Sequence, residues 1–257
     1  MITSSGNSQI KRVMQLNARG KLRREEGVFV AEGIKLFRET PPELREKTFV
    51  SETCAEEHQK LLEGIPCERV EDHLFARMCD TKTPQGILSV VRMPSYTWEE
   101  VTGGETPLLL VLEDLQDPGN VGTILRTAEG AGVTGVLLSR GCADLFQPKT
   151  IRSTMGSIYR MPFYRADNLP EAVERLKAQG VRTYAAHLDG QHSYLQADYR
   201  KASAFLIGNE GNGLSRELSE AADELIRIPM EGRVESLNAA VAAAVLMYGA
   251  YACRHPE

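Results

Sequence analysis

Five polar side chains in this chain stand at spacings that suit the handling of a ligand. Asn120 and Arg126 lie in Asn120-Val121-Gly122-Thr123-Ile124-Leu125-Arg126-Thr127-Ala128, Glu210 in Gly208-Asn209-Glu210-Gly211-Asn212-Gly213, and Ser236 and Asn238 in Ser236-Leu237-Asn238-Ala239. Each group follows an apolar, strand-like run: Leu108–Leu112, Leu206-Ile207 and Ile226-Arg227-Ile228-Pro229-Met230. Ligands of open α/β sheets bind outside the carboxyl ends of strands. Amides and hydroxyls there orient a ligand, and an arginine grips a phosphate with two parallel hydrogen bonds. Glu210 repels a phosphate, so its loop suits a ligand that is neutral or cationic near the carboxylate. Each feature also has a plainer reading. The glycine run makes a tight turn, Arg126 is a surface arginine, and Ser236 caps the last helix. Asn238 is harder to dismiss, because apolar neighbours leave its amide needing a partner inside the protein.

Known nucleotide loops do not fit. A P-loop needs four residues between its glycines and then Lys-Ser/Thr, and the dinucleotide fingerprint needs G-x-G-x-x-G. Here the glycines fall at 208, 211 and 213, followed by Leu214 and Ser215. No Ser-His-Asp set, paired catalytic carboxylates or metal-ligand spacing competes with the polar residues above. The five cysteines are scattered and odd in number, which suits reduced thiols in a cytosol. Polar sequence after Met1 gives no signal peptide, and Leu237–Cys253 is too short to span a membrane.

The elements that must place these residues alternate from residue 108 onward. Leu108–Leu112 reads as a strand covered on both faces. Val121, Ile124, Leu125 and Ala128 then form one helical stripe, with Asp117 or Asn120 as its cap. Strands follow at Val136–Leu138, near 182–188 and 203–208, and at Leu225–Ile228. Helices are expected over 148–156, 169–179, from a Ser215 cap to about Ala222, and over 236–252. Such β-α-β units predict an α/β fold with a mostly parallel sheet and helices on both faces. Pro94, Ser95, Gly103, Gly104 and Pro107 mark 96–107 as a linker. It separates a mixed α/β domain at 1–95 from a larger one at 108–257. In the first, a helix near Ile10–Leu16, strands at Val28–Val30, Thr48–Val50 and Gly86–Val91, and a helix at Lys35–Arg38 are expected.

The net charge of −5 argues weakly against nucleic acid, but residues 1–24 hold Lys11, Arg12, Arg19, Lys21, Arg23 and Arg24 and no acid. A local basic face binds phosphate on an acidic protein; a solvated helix face is the alternative.

The three polar stretches, in order and spacing, resemble the signature motifs of the SpoU (TrmH-like) branch of the SPOUT RNA methyltransferases: N-x-G-x-x-x-R-T-A, a G-x-E-G-x-G loop, and I-P-M followed by S-L-N. Residues 1–95 resemble the family's L30e-like substrate-binding domain more weakly, through Glu26–Gly33 and Thr83-Pro84-Gln85-Gly86. The resemblance implies S-adenosylmethionine as methyl donor, a ribose 2′-hydroxyl of RNA as acceptor, a C-terminal trefoil knot, a homodimer and a cytoplasmic enzyme without a metal. By position it implies that Gly208, Asn209, Glu210, Ile228, Met230, Ser236 and Leu237 surround the cofactor. It makes Asn120, Arg126, Glu210, Ser236 and Asn238 the catalytic set. The family assigns the base role to the Arg126 position. A guanidinium does not lose its proton in proteins, so Arg126 is read here as a clamp on the phosphate beside the target ribose. The extra N-terminal domain favours structured ribosomal RNA over transfer RNA, with the six basic residues of 1–24 on its phosphates. A non-catalytic RNA-binding module is an alternative, which loss of motif residues would mark; a nucleotide-dependent enzyme is another, which tight ATP or NAD binding would mark.

Overall fold

A computed structural model of the chain describes residues 1–234 and 236–256. Its α-helices and strands are, in order, α1 (Ser8–Ala18), α2 (Gly20–Glu26), β1 (Val28–Glu32), α3 (Ile34–Glu39), β2 (Arg45–Ser51), α4 (Glu52–Glu57), α5 (Gln59–Leu62), β3 (Cys67–Val70), α6 (Asp72–Met78), β4 (Ile87–Arg92), α7 (Trp98–Thr102), β5 (Leu108–Leu112), α8 (Pro118–Gly130), β6 (Gly135–Leu138), α9 (Pro148–Thr154), β7 (Phe163–Arg165), α10 (Leu169–Ala178), β8 (Arg182–Ala186), β9 (His192–Ser193), β10 (Ser203–Ile207), α11 (Arg216–Ala221), β11 (Glu224–Arg227) and α12 (Ala239–Arg254). They form two units. One is Met1–Pro94 with Asp144–Tyr159; the other is Ser95–Ala143 with the chain from Arg160 onward.

The first unit is built on a four-stranded mixed sheet, β1-β4-β2-β3, in which only β2 and β3 run parallel. Alternation along its strands fills two cores. Val28, Val30, Phe49, Leu88 and Val90 pack against α1 and α6; Val50 and Ile87 pack with Phe37, Cys54 and Ala55. The stretch Asp144–Tyr159, although it lies between β6 and β7, completes this unit. The rings of Phe146 and Tyr159 sit 5.1 and 6.2 Å from that of Phe29, and the Tyr159 hydroxyl is 2.8 Å from Thr40 Oγ1.

Two expectations are corrected here. Arg23, expected on RNA phosphates, is buried at 4% exposure. Its guanidinium donates to the carbonyls of Leu16 and Asn17, which the end of α1 leaves unpaired, and pairs with Asp144 at 2.6 Å. Arg12 is partly spent as well, on Glu26 and Glu46, each at 2.7 Å. Lys11, Arg19, Lys21 and Arg24 are exposed. Secondly, the 96–107 stretch holds α7. Thr97 and Glu100 close a capping box, and Trp98 and Val101 are buried. The proline and glycine cluster only brackets this helix.

The second unit is a seven-stranded sheet of order β7-β6-β5-β10-β8-β11-β9, parallel at every recorded pairing. Leu108 to Leu112 are at most 1% exposed, each contributing roughly 1.5–3 kcal/mol, so the strand body is fixed in the interior. Leu109 and Val111 face a core shared with α7, α10 and α11. On the alternate side α8 and α12 pack on one another, and α12 on β10. Strand succession runs outward from β5 through β6 to β7, while β10 and β8 lie on its other flank. The order therefore reverses between β5 and β10, and the crevice for a ligand opens at their carboxyl ends. The short strands β3, β7 and β9 escape a search for apolar runs: Cys67–Val70 carries Glu68 and Arg69, and β9 has two residues.

Candidate active site

The chain leaving β5 and the loop leaving β10 meet at that crevice. Asp117 caps α8, its carboxylate accepting from Asn120 N. This turns the Asn120 side chain toward the loop after β10, where its Nδ2 donates to Glu210 Oε1 at 3.0 Å. The same carboxylate accepts from the backbone N–H of Asp117 at 3.0 Å and of Gln116 at 3.1 Å. Burial alone raises the Glu210 pKa, but the Asn120 amide and these two N–H groups outweigh it and hold the carboxyl below its ordinary value.

Asn238 enters from a third element. It, rather than Ser236, caps the last helix: its Oδ1 accepts from Ala240 N and Val241 N. Its Nδ2 donates to Asn120 Oδ1 at 3.0 Å. The unplaced amide of Asn238 thus finds its partner in Asn120. A directed row of hydrogen bonds runs Asn238, Asn120, Glu210, joining the starts of α12 and α8 to the glycine-rich loop.

Asn209 and Gly213 exchange both backbone hydrogen bonds, at 2.9 Å each, so the loop folds back on itself. A Cβ on Gly208 would lie 2.1 Å from the carbonyl carbon of Gly213; only glycine fits there. Beside the row lies a cavity of about 740 Å³. Gly208 to Leu214, Ile226 to Met230, Ser236, Leu237 and Ala186 to Asp189 line it. Gly208, Asn209, Glu210, Ile228, Met230, Ser236 and Leu237 are therefore all on its wall. His187, Leu188 and Asp189, just past β8, line it too; no motif marks them, but the strand-end rule that singles out the other loops applies to them equally. Asn209 contributes backbone, since its amide is turned into the loop.

Arg126 is not brought to this group. It is exposed on α8 and has no hydrogen bond or ion pair among the described residues. Six positions beyond Asn120, it lies roughly 9 Å further along the helix and about a third of a turn around it. Among the described residues no three or more His, Cys, Asp or Glu are grouped to hold a metal ion. No helix among the described residues is long and apolar enough to cross a membrane.

The model of the SpoU rRNA methylase family matches residues 107–248, and that of the MRM3-like substrate binding domain matches residues 7–89. The chain belongs to the SpoU rRNA methylase family. It is an RNA methyltransferase. Over 251 residues, 96% of its length and 97% of the relative's, it is 37% identical to the 23S rRNA (guanosine(2553)-2′-O)-methyltransferase RlmP of Bacillus subtilis. The crystal structure of an AdoMet-bound rRNA methyltransferase from Sinorhizobium meliloti is similar at 30% identity and a TM-score of 0.83, covering 97% of this chain and 96% of that one. The SpoU methyltransferase AviRb from Streptomyces viridochromogenes, in complex with AdoMet, is similar at 25% identity and a TM-score of 0.84, over 95% and 97% of the two chains.

Proposed function

We propose that this methylase transfers a methyl group from S-adenosylmethionine to a ribose 2′-hydroxyl of ribosomal RNA, acting as a cytoplasmic homodimer whose C-terminal segment is tied in a trefoil knot. The observation that carries this reading is the row Asn238, Asn120, Glu210 beside a cavity at the switch point of the sheet. Near full-length similarity to a 23S rRNA 2′-O-methyltransferase supports ribosomal over transfer RNA.

The cavity wall fits the donor. Leu188, Ile207, Ile228, Pro229, Met230 and Leu237 offer apolar surface to a nucleoside, while Asp189 and Glu210 favour a cationic ligand. S-adenosylmethionine supplies an electrophilic methyl on a positively charged sulfur. The protein's own work is alignment. Both Glu210 oxygens are taken up by Asn120, Gln116 and Asp117, and its pKa is held low, so Glu210 is not the base. It fixes the loop and the orientation of the Asn120 amide. Arg126, which keeps its proton, clamps the phosphate beside the target ribose, and the hydroxyl proton leaves to that phosphate or to water.

The dimer rests on α12 and Arg126. Val241 and Tyr248, seven positions apart on one helix face, are 49% and 50% exposed, and Tyr251 is 42% exposed. A second copy covers this stripe. Because α8 packs on α12, the same copy brings its Arg126 toward the site of its partner. Lys11, Arg19, Lys21 and Arg24 of the 1–95 domain contact RNA phosphates.

The test is transfer of labelled methyl from S-adenosylmethionine to ribosomal and transfer RNA lacking the modification. Ribose methylation is then mapped by resistance to alkaline cleavage. A single resistant linkage in 23S rRNA is expected. Label in transfer RNA alone moves the substrate, and label in neither refutes the reading.

A further inference from the structure

We propose that Ser139, Asp114 and Glu113, outside the three motifs, form a scaffold that sets the shape of the Gly208–Gly213 loop, with Asn209 as the part of the loop it grips. The proposal rests on the reading of that loop as the cofactor loop. Its residues are positioning residues and touch no reacting atom.

Asp114 follows β5 with φ +50°, a left-handed conformation that few side chains adopt without support. The support is Ser139, at the end of β6. Its hydroxyl accepts from Asp114 N at 2.9 Å and donates to Asp114 Oδ1 at 2.6 Å. The carboxylate also needs Gly141: a Cβ there would lie 2.1 Å from Asp114 Oδ1. So held, Asp114 turns its carbonyl to Asn209 Nδ2 at 2.7 Å. Asn209 Oδ1 then accepts from the N–H groups of Gly211 and Asn212, at 2.9 and 3.1 Å. Three of the four hydrogen bonds the amide can make are spent inside the fold, none on the cavity. Glu113 grips the flanks: its N–H donates to the carbonyl of Ile207 just before the loop, and its Oε2 accepts from Ser215 N just after it, at 2.9 and 2.7 Å. A turn held only by its own backbone needs none of these contacts.

The test uses Ser139→Ala, Asn209→Ala and the double variant of the full-length protein, with S-adenosylmethionine as the calorimetric probe. Each single change is expected to weaken binding about tenfold. The double variant loses no more than the worse single one, because both break one chain of contacts. In Ser139→Ala the KM for the donor rises while kcat at saturating donor stays close to that of the unaltered protein. Without ligand, amide exchange at Gly211 and Asn212 quickens in both single variants. Unchanged donor affinity in Ser139→Ala, losses that multiply in the double variant, or unchanged exchange would overturn the scaffold. If the unaltered protein fails to bind S-adenosylmethionine, the functional reading falls, while the exchange measurement still decides the scaffold.

Discussion

Glu210 and Arg126 are the two charged residues of the motifs, and their surroundings give them different tasks. The Glu210 carboxylate is an acceptor saturated by donors. Its folded pKa lies below the ordinary value, so it stabilises the loop fully above the ordinary glutamate range, about 4.3, and that contribution fades as pH falls through the lower folded value. Glu210→Gln puts an amide donor against backbone donors. It should weaken S-adenosylmethionine binding at neutral pH and flatten the acid limb of a binding-versus-pH curve measured by calorimetry. An acid limb unchanged in the variant would assign that titration to another group. The Arg126 side chain has no partner among the described residues, and in the proposed role its value lies in a two-pronged grip on phosphate. Arg126→Lys keeps the charge and loses the fork. Turnover is expected to fall by on the order of a hundredfold, with donor affinity unchanged; near-normal turnover in single-turnover assays would rule out a positional role.

Helix α12 depends on Asn238 in two ways, and one substitution separates them. Asn238→Asp keeps an oxygen to cap the helix, in a place that favours negative charge, but removes the donor to Asn120 and sets a carboxylate against its oxygen. Thermal unfolding should move little, while methyl transfer drops about tenfold or more. Activity kept in this variant would reduce Asn238 to a cap. At the other end of α12, Arg254 donates to the carbonyls of Tyr199, Thr106, Pro107 and Lys201, fastening the helix to the entries of β5 and β10. Arg254→Ala strands several of these acceptors at once and should cost about 2–3 kcal/mol in denaturant unfolding, a measurement a loosely attached helix end would not move.

Two surfaces of the whole molecule carry predictions of assembly and of RNA binding. If Arg126 serves a partner's site, inactive Arg126→Ala and Asn238→Ala proteins complement each other: mixed dimers hold one intact site, and a randomised mixture recovers about a quarter of full activity. No recovery after subunit exchange would place the whole site in one chain. For RNA, replacing Lys11, Arg19 and Arg24 together by Ala should reduce the slope of log affinity against log salt by roughly 2–3, read by filter binding. Arg23→Ala belongs to another class. It takes the cation away from the partly buried Asp144, whose Oδ1 keeps the Phe146 N–H, and removes the donor to the carbonyls of Leu16 and Asn17, and should destabilise the first unit by about 3 kcal/mol.

Sequence alone determined the parallel α/β domain, most of its strands and helices, and the loops that line the cavity, because continuous apolar runs, helical stripes and caps are local patterns. Ser215 caps α11 as its position implied, and Leu108–Leu112 is the strand its residues describe. What sequence did not decide depends on partners far along the chain. Arg23 looked like one more surface cation until Asp144, 121 residues away, closed over it. The capping role fell to Asn238 instead of Ser236, and the amide of Asn238 met Asn120 across 118 residues. Residues 144–159 joined the first unit because aromatic packing on Phe29 outweighs continuity of the chain. Hydrogen bonding and burial act on neighbours in space, and only the folded chain determines which residues become neighbours.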